Sequence, residues 1–314
     1  MTVLVLTAVL FVQSCTKEKD YNLEDIQTVT DSVTFTKIAR DGKDAHIRQA
    51  ATERLTAHAA LKNDREMPVH YDTEMDEQAM LADIAQYDED EMARVLVVAF
   101  LLTDPIALAE IAENEEAEEE IRSLAKLKLS DHATLADIAQ HDEEEKRRVF
   151  ATMLLTDYAV LSEIARHDED DNIRLMARLK QMDIDSLVNI ARNDEDDTAR
   201  SMAAVLLSDQ SVITDIARHD EDESVRLLAT LKLNTQAALA DIALNDDDDD
   251  VRRMATLKLT HQAVLANIAR NDEAWEVRRM AVKKLTDRKL LERIAREDED
   301  EDVRHAAMRR QEAL

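Results

Sequence analysis

The dipeptide Ile-Ala recurs along this 314-residue chain at a nearly constant spacing, and this periodicity restricts the fold more than any other feature. From Ile84 onward the intervals are 27, 27 and then 26 residues six times. A fixed period in this range is typical of a solenoid, in which each unit packs on its neighbours. The anchor isoleucines are Ile38, Ile84, Ile111, Ile138, Ile164, Ile190, Ile216, Ile242, Ile268 and Ile294.

The apolar positions inside one unit are spaced for two short helices. Val264, Leu265 and Ile268 predict a helix A, and the run from Val277 to Leu285 predicts a longer helix B. Helices of about ten residues are marginal in water, so stacking must stabilise them. One Gly and two Pro in the whole chain argue against turn-rich β folds and phosphate-binding loops. We therefore predict an all-α fold.

Polar residues mark the ends of the predicted helices. The Asp of a Thr-Asp or Ser-Asp pair is expected to cap the start of helix A, and Pro105 suits a first turn. The polar residue three positions after the anchor, such as His141 or Asn193, is expected to end helix A in a left-handed conformation. The capping pairs are Thr103-Asp104, Ser130-Asp131, Thr156-Asp157, Ser208-Asp209 and Thr286-Asp287.

Two further columns recur with the same period. The thirteenth residue after most anchors is Ala, which allows close approach of successive helices. The tenth is usually Arg, and an acid lies six residues before it. The string from Ile268 to Ala281, Ile-Ala-Arg-Asn-Asp followed by Val-Arg-Arg-Met-Ala, resembles the HEAT-repeat superfamily of armadillo-like helical proteins, particularly its short bacterial forms and the leucine-rich repeat variant.

This resemblance covers residues 33–314 and implies an α-solenoid of about ten 26–27-residue helix-turn-helix repeats in a right-handed superhelix. The period is shorter than in most HEAT units, so one helix of each pair is expected to shrink to a turn or two. The resemblance brings no catalytic residues. It implies an inter-repeat ladder of hydrogen bonds formed by Asp142, Arg148, Asp168, Arg174, Asp194, Arg200, Asp220, Arg226, Asp246, Arg252, Asp272 and Arg278.

The N-terminus has the pattern of an exported lipoprotein. The apolar run 2–12 is too short to span a bilayer and fits a signal peptide. Val12-Gln13-Ser14-Cys15 resembles a bacterial lipobox, which implies lipidation of Cys15, the single cysteine. We expect a signal peptide at 1–14, a flexible tether at 15–32 and the solenoid at 33–314, in an outer-membrane lipoprotein of the bacterial cell envelope. The alternative is a cytoplasmic protein with an apolar N-terminus.

Acidic residues dominate the charge, with 69 Asp and Glu against 40 Lys and Arg and a formal net charge of −29. This balance argues against nucleic-acid binding. The acids concentrate between helices A and B, where they could bind a basic partner or divalent cations. The interpretation we favour is that they stabilise the dipole of helix B and keep the chain soluble.

Two other features have both a functional and a structural interpretation. His141, His167 and His219 share a column, but packed helices about 8–10 Å apart cannot easily bring them to one metal ion. An insertion at 63–78 is either a specificity loop or part of a degenerate capping unit, and we favour the cap. We predict no catalytic, cofactor-binding or metal-binding residues.

These observations predict a monomeric, lipid-anchored scaffold that binds protein partners, basic ones among them, without catalysis. Two alternatives stay open. One is a HEAT-type lyase-like enzyme or accessory protein. The other is a passive acidic or cation-binding surface protein.

Overall fold

The computed structural model describes residues 77–88 and 91–314 of the chain. The predicted signal peptide, Cys15, the tether, the first repeat around Ile38 and nearly all of the 63–78 insertion lie outside the described residues. The described chain divides between two compact units, an N-terminal unit that ends at Asp157 and a C-terminal unit from Tyr158 to Leu314. None of the described helices is long and apolar enough to cross a membrane.

The described part of the N-terminal unit contains six α-helices, in which odd numbers are A helices and even numbers are B helices. The second helix continues into a π-helical turn at Val97–Leu101. The six are α1 (Glu77–Tyr87), α2 (Glu91–Leu96), α3 (Pro105–Glu113), α4 (Glu119–Leu129), α5 (His132–His141) and α6 (Glu145–Leu154).

The C-terminal unit contains twelve α-helices with the same alternation. They are α7 (Tyr158–His167), α8 (Asp171–Leu179), α9 (Ile184–Asn193), α10 (Asp197–Leu206), α11 (Gln210–His219), α12 (Glu223–Lys232), α13 (Gln236–Asn245), α14 (Asp249–Lys258), α15 (Gln262–Asn271), α16 (Trp275–Lys284), α17 (Arg288–Glu297) and α18 (Glu301–Ala313).

The predicted α-solenoid of helical repeats is confirmed. The described residues form helices and no strand, and each A helix packs against the B helix that follows it. In the C-terminal unit the B helices of successive repeats also pack directly on one another, whereas successive A helices touch less. The alanine column lies in this B layer, and Ala203, Ala229, Ala255 and Ala281 are fully buried. The handedness of the superhelix stays a prediction.

The expected difference in length between the two helices was wrong, because neither helix is shortened. Most A and B helices have ten residues, and most connections between them have three. Two such helices and two such connections fill the 26-residue period. The short period is therefore accommodated by tight connections, not by loss of a helix.

The predicted caps of helix A are confirmed at Asp104, Asp131, Asp209 and Asp287, whose side chains accept hydrogen bonds from backbone amides of the first turn. Pro105 occupies the first turn of α3 as expected. The predicted left-handed terminus was wrong.

The A helices end on extended backbone. His141 is the last residue of α5, and the following Asp142 has φ −66° and ψ 137°. Asp220, Asp246, Asp272 and Asp298 follow their helices in the same way. A short extended connection needs no residue with positive φ, so the scarcity of glycine carries no conformational cost here.

Candidate interaction surface at the inter-helix turns

The turn between helix A and helix B carries a run of consecutive acids, and in most turns the first and third acids have structural roles. In the turn that follows α11, the first acid, Asp220, accepts a hydrogen bond from the amide of Asp222 at 3.0 Å. The third acid, Asp222, accepts from the amides of Ser224 and Val225 and so caps α12. The same caps occur at Asp170, Asp196, Asp248 and Asp300.

The first acid of a turn also joins neighbouring repeats. Arg226 donates from Nη1 to the carbonyl of Asp220 in its own repeat, at 3.0 Å. Its Nε and Nη2 donate to the two carboxylate oxygens of Asp246 in the next repeat, both at 3.0 Å. Each such arginine therefore connects two turns. The C-terminal unit contains four of these rungs, Arg200 to Asp220, Arg226 to Asp246, Arg252 to Asp272 and Arg278 to Asp298.

The other residues expected in the ladder also bond within their own repeats. Arg148 donates to the carbonyl of Asp142. Arg174 donates to the carbonyl of Asp168 and to the carboxylate of Asp171 on its own helix. Among the hydrogen bonds of the described residues, the Asp194 carboxylate accepts one from the amide of Asp196 and none from an arginine. The carbonyl of Asp194 accepts a bond from Arg200.

The rungs are buried ion pairs with two parallel hydrogen bonds. The side chains of Arg252 and Asp272 are 6% and 7% exposed. Hydrogen bonding to Asp220 raises the pKa of Arg200, and hydrogen bonding to Asp246 raises that of Arg226. Paired, fork-shaped bonds of this kind are strong and fix geometry. The ladder thus sets how one turn lies against the next.

In the C-terminal unit the second acid of each turn faces solvent, and so does the fourth acid in four of the five turns that have one, whereas Asp197 is half-buried. The second acids Glu221, Glu273 and Glu299 are 85–88% exposed, and the fourth acid Asp171 is 92% exposed. Exposed charges of this kind contribute little to stability. The second acids also lie 3.3–3.7 Å from the ladder arginines Arg200, Arg252 and Arg278. The acids of one turn therefore divide into an inner pair that builds the fold and an outer pair that stays accessible to solvent and to a partner. We call the outer acids of the C-terminal unit the acidic edge.

Negative charge at this edge also affects a neighbouring carboxyl group. Burial raises the pKa of Asp250 to about 6, and the nearby charges of Asp248, Asp249 and Glu276 act in the same direction. The Arg253 guanidinium, 2.6 Å from the Asp250 carboxylate, opposes this effect. Accumulated negative charge makes a surface attractive to cationic groups.

A lysine column that the sequence reasoning missed caps the B helices. Lys128 donates from Nζ to the carbonyls of Val98, Ala99 and Leu102 in the preceding repeat, at 2.6–3.2 Å. Lys258 and Lys284 likewise donate to carbonyls at the end of the preceding B helix. Burial lowers the pKa of Lys128 to about 7. These lysines lie six residues after the column arginine, so the signal was present in the sequence.

A column of glutamines, which the sequence analysis also did not identify, binds the connections between a B helix and the next A helix. Gln236 donates from Nε2 to the carbonyl of Lys258, and its Oε1 accepts from the amide of Thr260 at 2.8 Å. Gln262 makes the same bonds to Lys284 and Thr286. The glutamine at the first position of an A helix thus binds the connection that leads from the B helix of its own repeat to the A helix of the next.

The histidine column stays on separate helices. His141 and His219 each lie 3.2 Å from an aspartate one turn earlier, and His167 lies 3.6 Å from Glu163. Over residues 77–88 and 91–314, no group of three or more His, Cys, Asp or Glu side chains is placed to hold a metal ion.

The A helices present a second polar surface. Arg192 pairs with Asp215 at 3.2 Å, and Arg218 pairs with Asp241 at 2.9 Å, each across neighbouring repeats. A shallow groove runs beside these pairs and is lined by Gln210, Thr214, His219 and Thr235 among others. The charged side chains at this groove form ion pairs with each other, so the groove has less unpaired charge than the acidic edge.

Comparison with known proteins adds no assignment. No protein-family model matches the sequence, and no curated protein is significantly similar to it. The resemblance to the HEAT-repeat superfamily therefore stays a prediction that rests on the repeat motif.

Proposed function

We propose that this protein is a non-enzymatic scaffold that binds basic segments of protein partners along the acidic edge. The observation that carries this proposal is the division of the turn acids. The inner pair accepts hydrogen bonds from backbone amides and is enclosed by the fold. The outer acids Glu221, Glu273 and Glu299 lie 3.3–3.7 Å from a ladder arginine but stay 85–88% exposed.

Regular repetition makes such an edge suited to an extended ligand. Each repeat places its outer acids in the same position relative to the helices, and the ladder holds adjacent turns in a fixed relation. A partner with several Lys or Arg side chains can then contact several turns at once, which raises its overall affinity. Complementary charge also accelerates encounter.

The proposal includes the location predicted from the N-terminus. Lipidation at Cys15 would hold a monomeric solenoid at the bacterial cell envelope, through a tether that leaves the acidic edge accessible. A Cys15→Ala variant is expected to move from the membrane fraction to the soluble fraction of the native cell. Persistence of that variant in the membrane fraction would contradict the lipid anchor.

Binding along the edge is tested by neutralising the second acid of four consecutive turns. The variant carries Glu195→Gln, Glu221→Gln, Asp247→Asn and Glu273→Gln. The probe is a ten-residue oligolysine peptide, measured by isothermal calorimetry at low and moderate salt. We expect the variant to bind the peptide about tenfold more weakly. A tenfold increase in Kd corresponds to a loss of about 1.4 kcal/mol in binding free energy, which is shared among the four neutralised contacts.

A matched control removes the same charge from exposed acids on the A helices, with Glu163→Gln, Asp185→Asn, Asp241→Asn and Glu292→Gln. We expect the control to bind within about twofold of the parent protein, because it keeps the edge intact. Equal weakening in both variants would show that net charge alone attracts the peptide, as in a passive acidic surface protein. Absence of binding by the parent protein would overturn the proposal.

A further inference from the structure

One turn of the C-terminal unit departs from the pattern of the others. In the other five inter-helix turns of residues 158–314, the third position is an aspartate that caps the following B helix. Between α15 and α16 this position is Ala274, which makes no side-chain cap bond. The fourth position, an acid in the other five turns, is Trp275. This turn therefore loses a cap and gains the one tryptophan of the chain.

Trp275 stands at the start of α16 with a guanidinium over its ring. The centre of the Arg279 guanidinium lies 5.1 Å from the ring centroid, within the range of a cation–π interaction. The side chain of Trp275 is partly exposed. Contact with Arg279 restricts the ring in the free protein, so little side-chain entropy remains to be lost when a ligand binds.

The surroundings of Trp275 are acidic. Glu273, two residues earlier, is 86% exposed. The positions equivalent to Trp275 in the turns before and after it are Asp249 and Glu301, both exposed. An aromatic ring within a negative surface offers a partner both apolar area and charge complementarity, which is the combination found at energetically dominant interface positions.

We propose that Trp275 is the anchor of the acidic edge, on which a Lys or Arg side chain of a basic protein segment packs while Glu273 and the neighbouring outer acids bind its charge. This inference rests on the proposed function, because it locates the strongest contact within the same edge. It explains why this turn has an aromatic residue in place of the fourth acid.

Two variants separate this anchor from simple charge attraction. Ala274→Asp restores the cap and keeps the tryptophan, and Ala274→Asp/Trp275→Asp restores both acids of the other turns. Charge attraction alone predicts that the double variant, which is the more negative, binds oligolysine more tightly than the single variant. We expect it instead to bind about tenfold more weakly, with a melting temperature at least equal to that of the parent protein.

Because Trp275 is the one tryptophan of the chain, its fluorescence reports directly on this site. Titration of the parent protein with the ten-residue oligolysine peptide is expected to change the Trp275 emission in step with the calorimetric isotherm. Calorimetric binding with unchanged emission, or with undiminished affinity in the double variant, would overturn the anchor and leave the acidic edge as the binding surface. Absence of calorimetric binding would overturn both.

Discussion

The rung between Arg252 and Asp272 offers a quantitative test of the ladder. Asp272→Ala removes two charge-assisted hydrogen bonds from a guanidinium that is 6% exposed, and it also removes the bond to the amide of Ala274. Nη1 of Arg252 keeps its bonds to the carbonyls of Asp246 and Asp247. Breaking one partner of a buried ion pair typically costs about 3–5 kcal/mol. Because part of the guanidinium stays satisfied, we expect a loss of about 3 kcal/mol in unfolding free energy.

A double-mutant cycle isolates the pair from the loss of either side chain alone. Arg252→Met leaves the Asp272 carboxylate with its backbone donor, so we expect a smaller loss of about 2 kcal/mol. The double variant Arg252→Met/Asp272→Ala leaves no unpaired buried charge. It should lose at least 1 kcal/mol less than the two single variants together, a coupling within the range of about 0.5–3 kcal/mol for contacting residues.

The assay is urea unfolding followed by helical circular dichroism and by the fluorescence of Trp275, which lies three residues from Asp272. The control is Glu273→Gln, adjacent in sequence but 86% exposed and 3.6 Å from Arg252. It should change the unfolding free energy by less than about 0.5 kcal/mol. If Asp272→Ala were no more destabilising than Glu273→Gln, the rungs would not hold adjacent repeats together.

Three further predictions concern other contacts. Burial lowers the pKa of Lys128 to about 7, whereas its ordinary value is 10.5. Because the unfolded state binds more protons between these two values, the unfolding free energy should rise as the pH rises from about 7 to 10. Lys128→Met should flatten this dependence in urea titrations, whereas Lys126→Met should not. Gln236→Ala should destabilise by about 1 kcal/mol and accelerate hydrogen exchange at the amide of Thr260, measured by NMR. Ala274→Asp should raise the unfolding free energy by about 1 kcal/mol through a new cap of α16.

The sequence predicted the parts of the fold that depend on local pattern. The spacing around Ile268 gave the helix pair because an amphipathic stripe must be buried against neighbours. The Asp caps of the A helices followed from the need of free amides for acceptors. The extended ends of the A helices could not be predicted in the same way. Asp220 has extended backbone, and its carboxylate accepts a hydrogen bond from the amide of Asp222, so the turn needs no left-handed residue.

The candidate surface was harder to predict, because its four acids look alike in the sequence. Asp220 and Glu221 are neighbours of the same charge, and both lie near Arg200, yet Asp220 is 7% exposed at 3.0 Å and Glu221 is 88% exposed at 3.7 Å. Which of them is buried depends on where the preceding repeat places its arginine. The lysine and glutamine columns were visible as repeats, but their partners are backbone carbonyls and amides, which no side-chain pattern identifies.

Hydrogen–deuterium exchange of the Asp272→Ala variant tests most directly whether each repeat is held by its immediate neighbours. Asp272 links the turn after α15 to Arg252 on α14. We expect protection to fall most in α13–α16 and to recover with distance, so that α7 and α8 exchange as in the parent protein. An equal loss of protection throughout residues 158–314, or an unchanged exchange pattern, would contradict a stack stabilised by nearest-neighbour rungs.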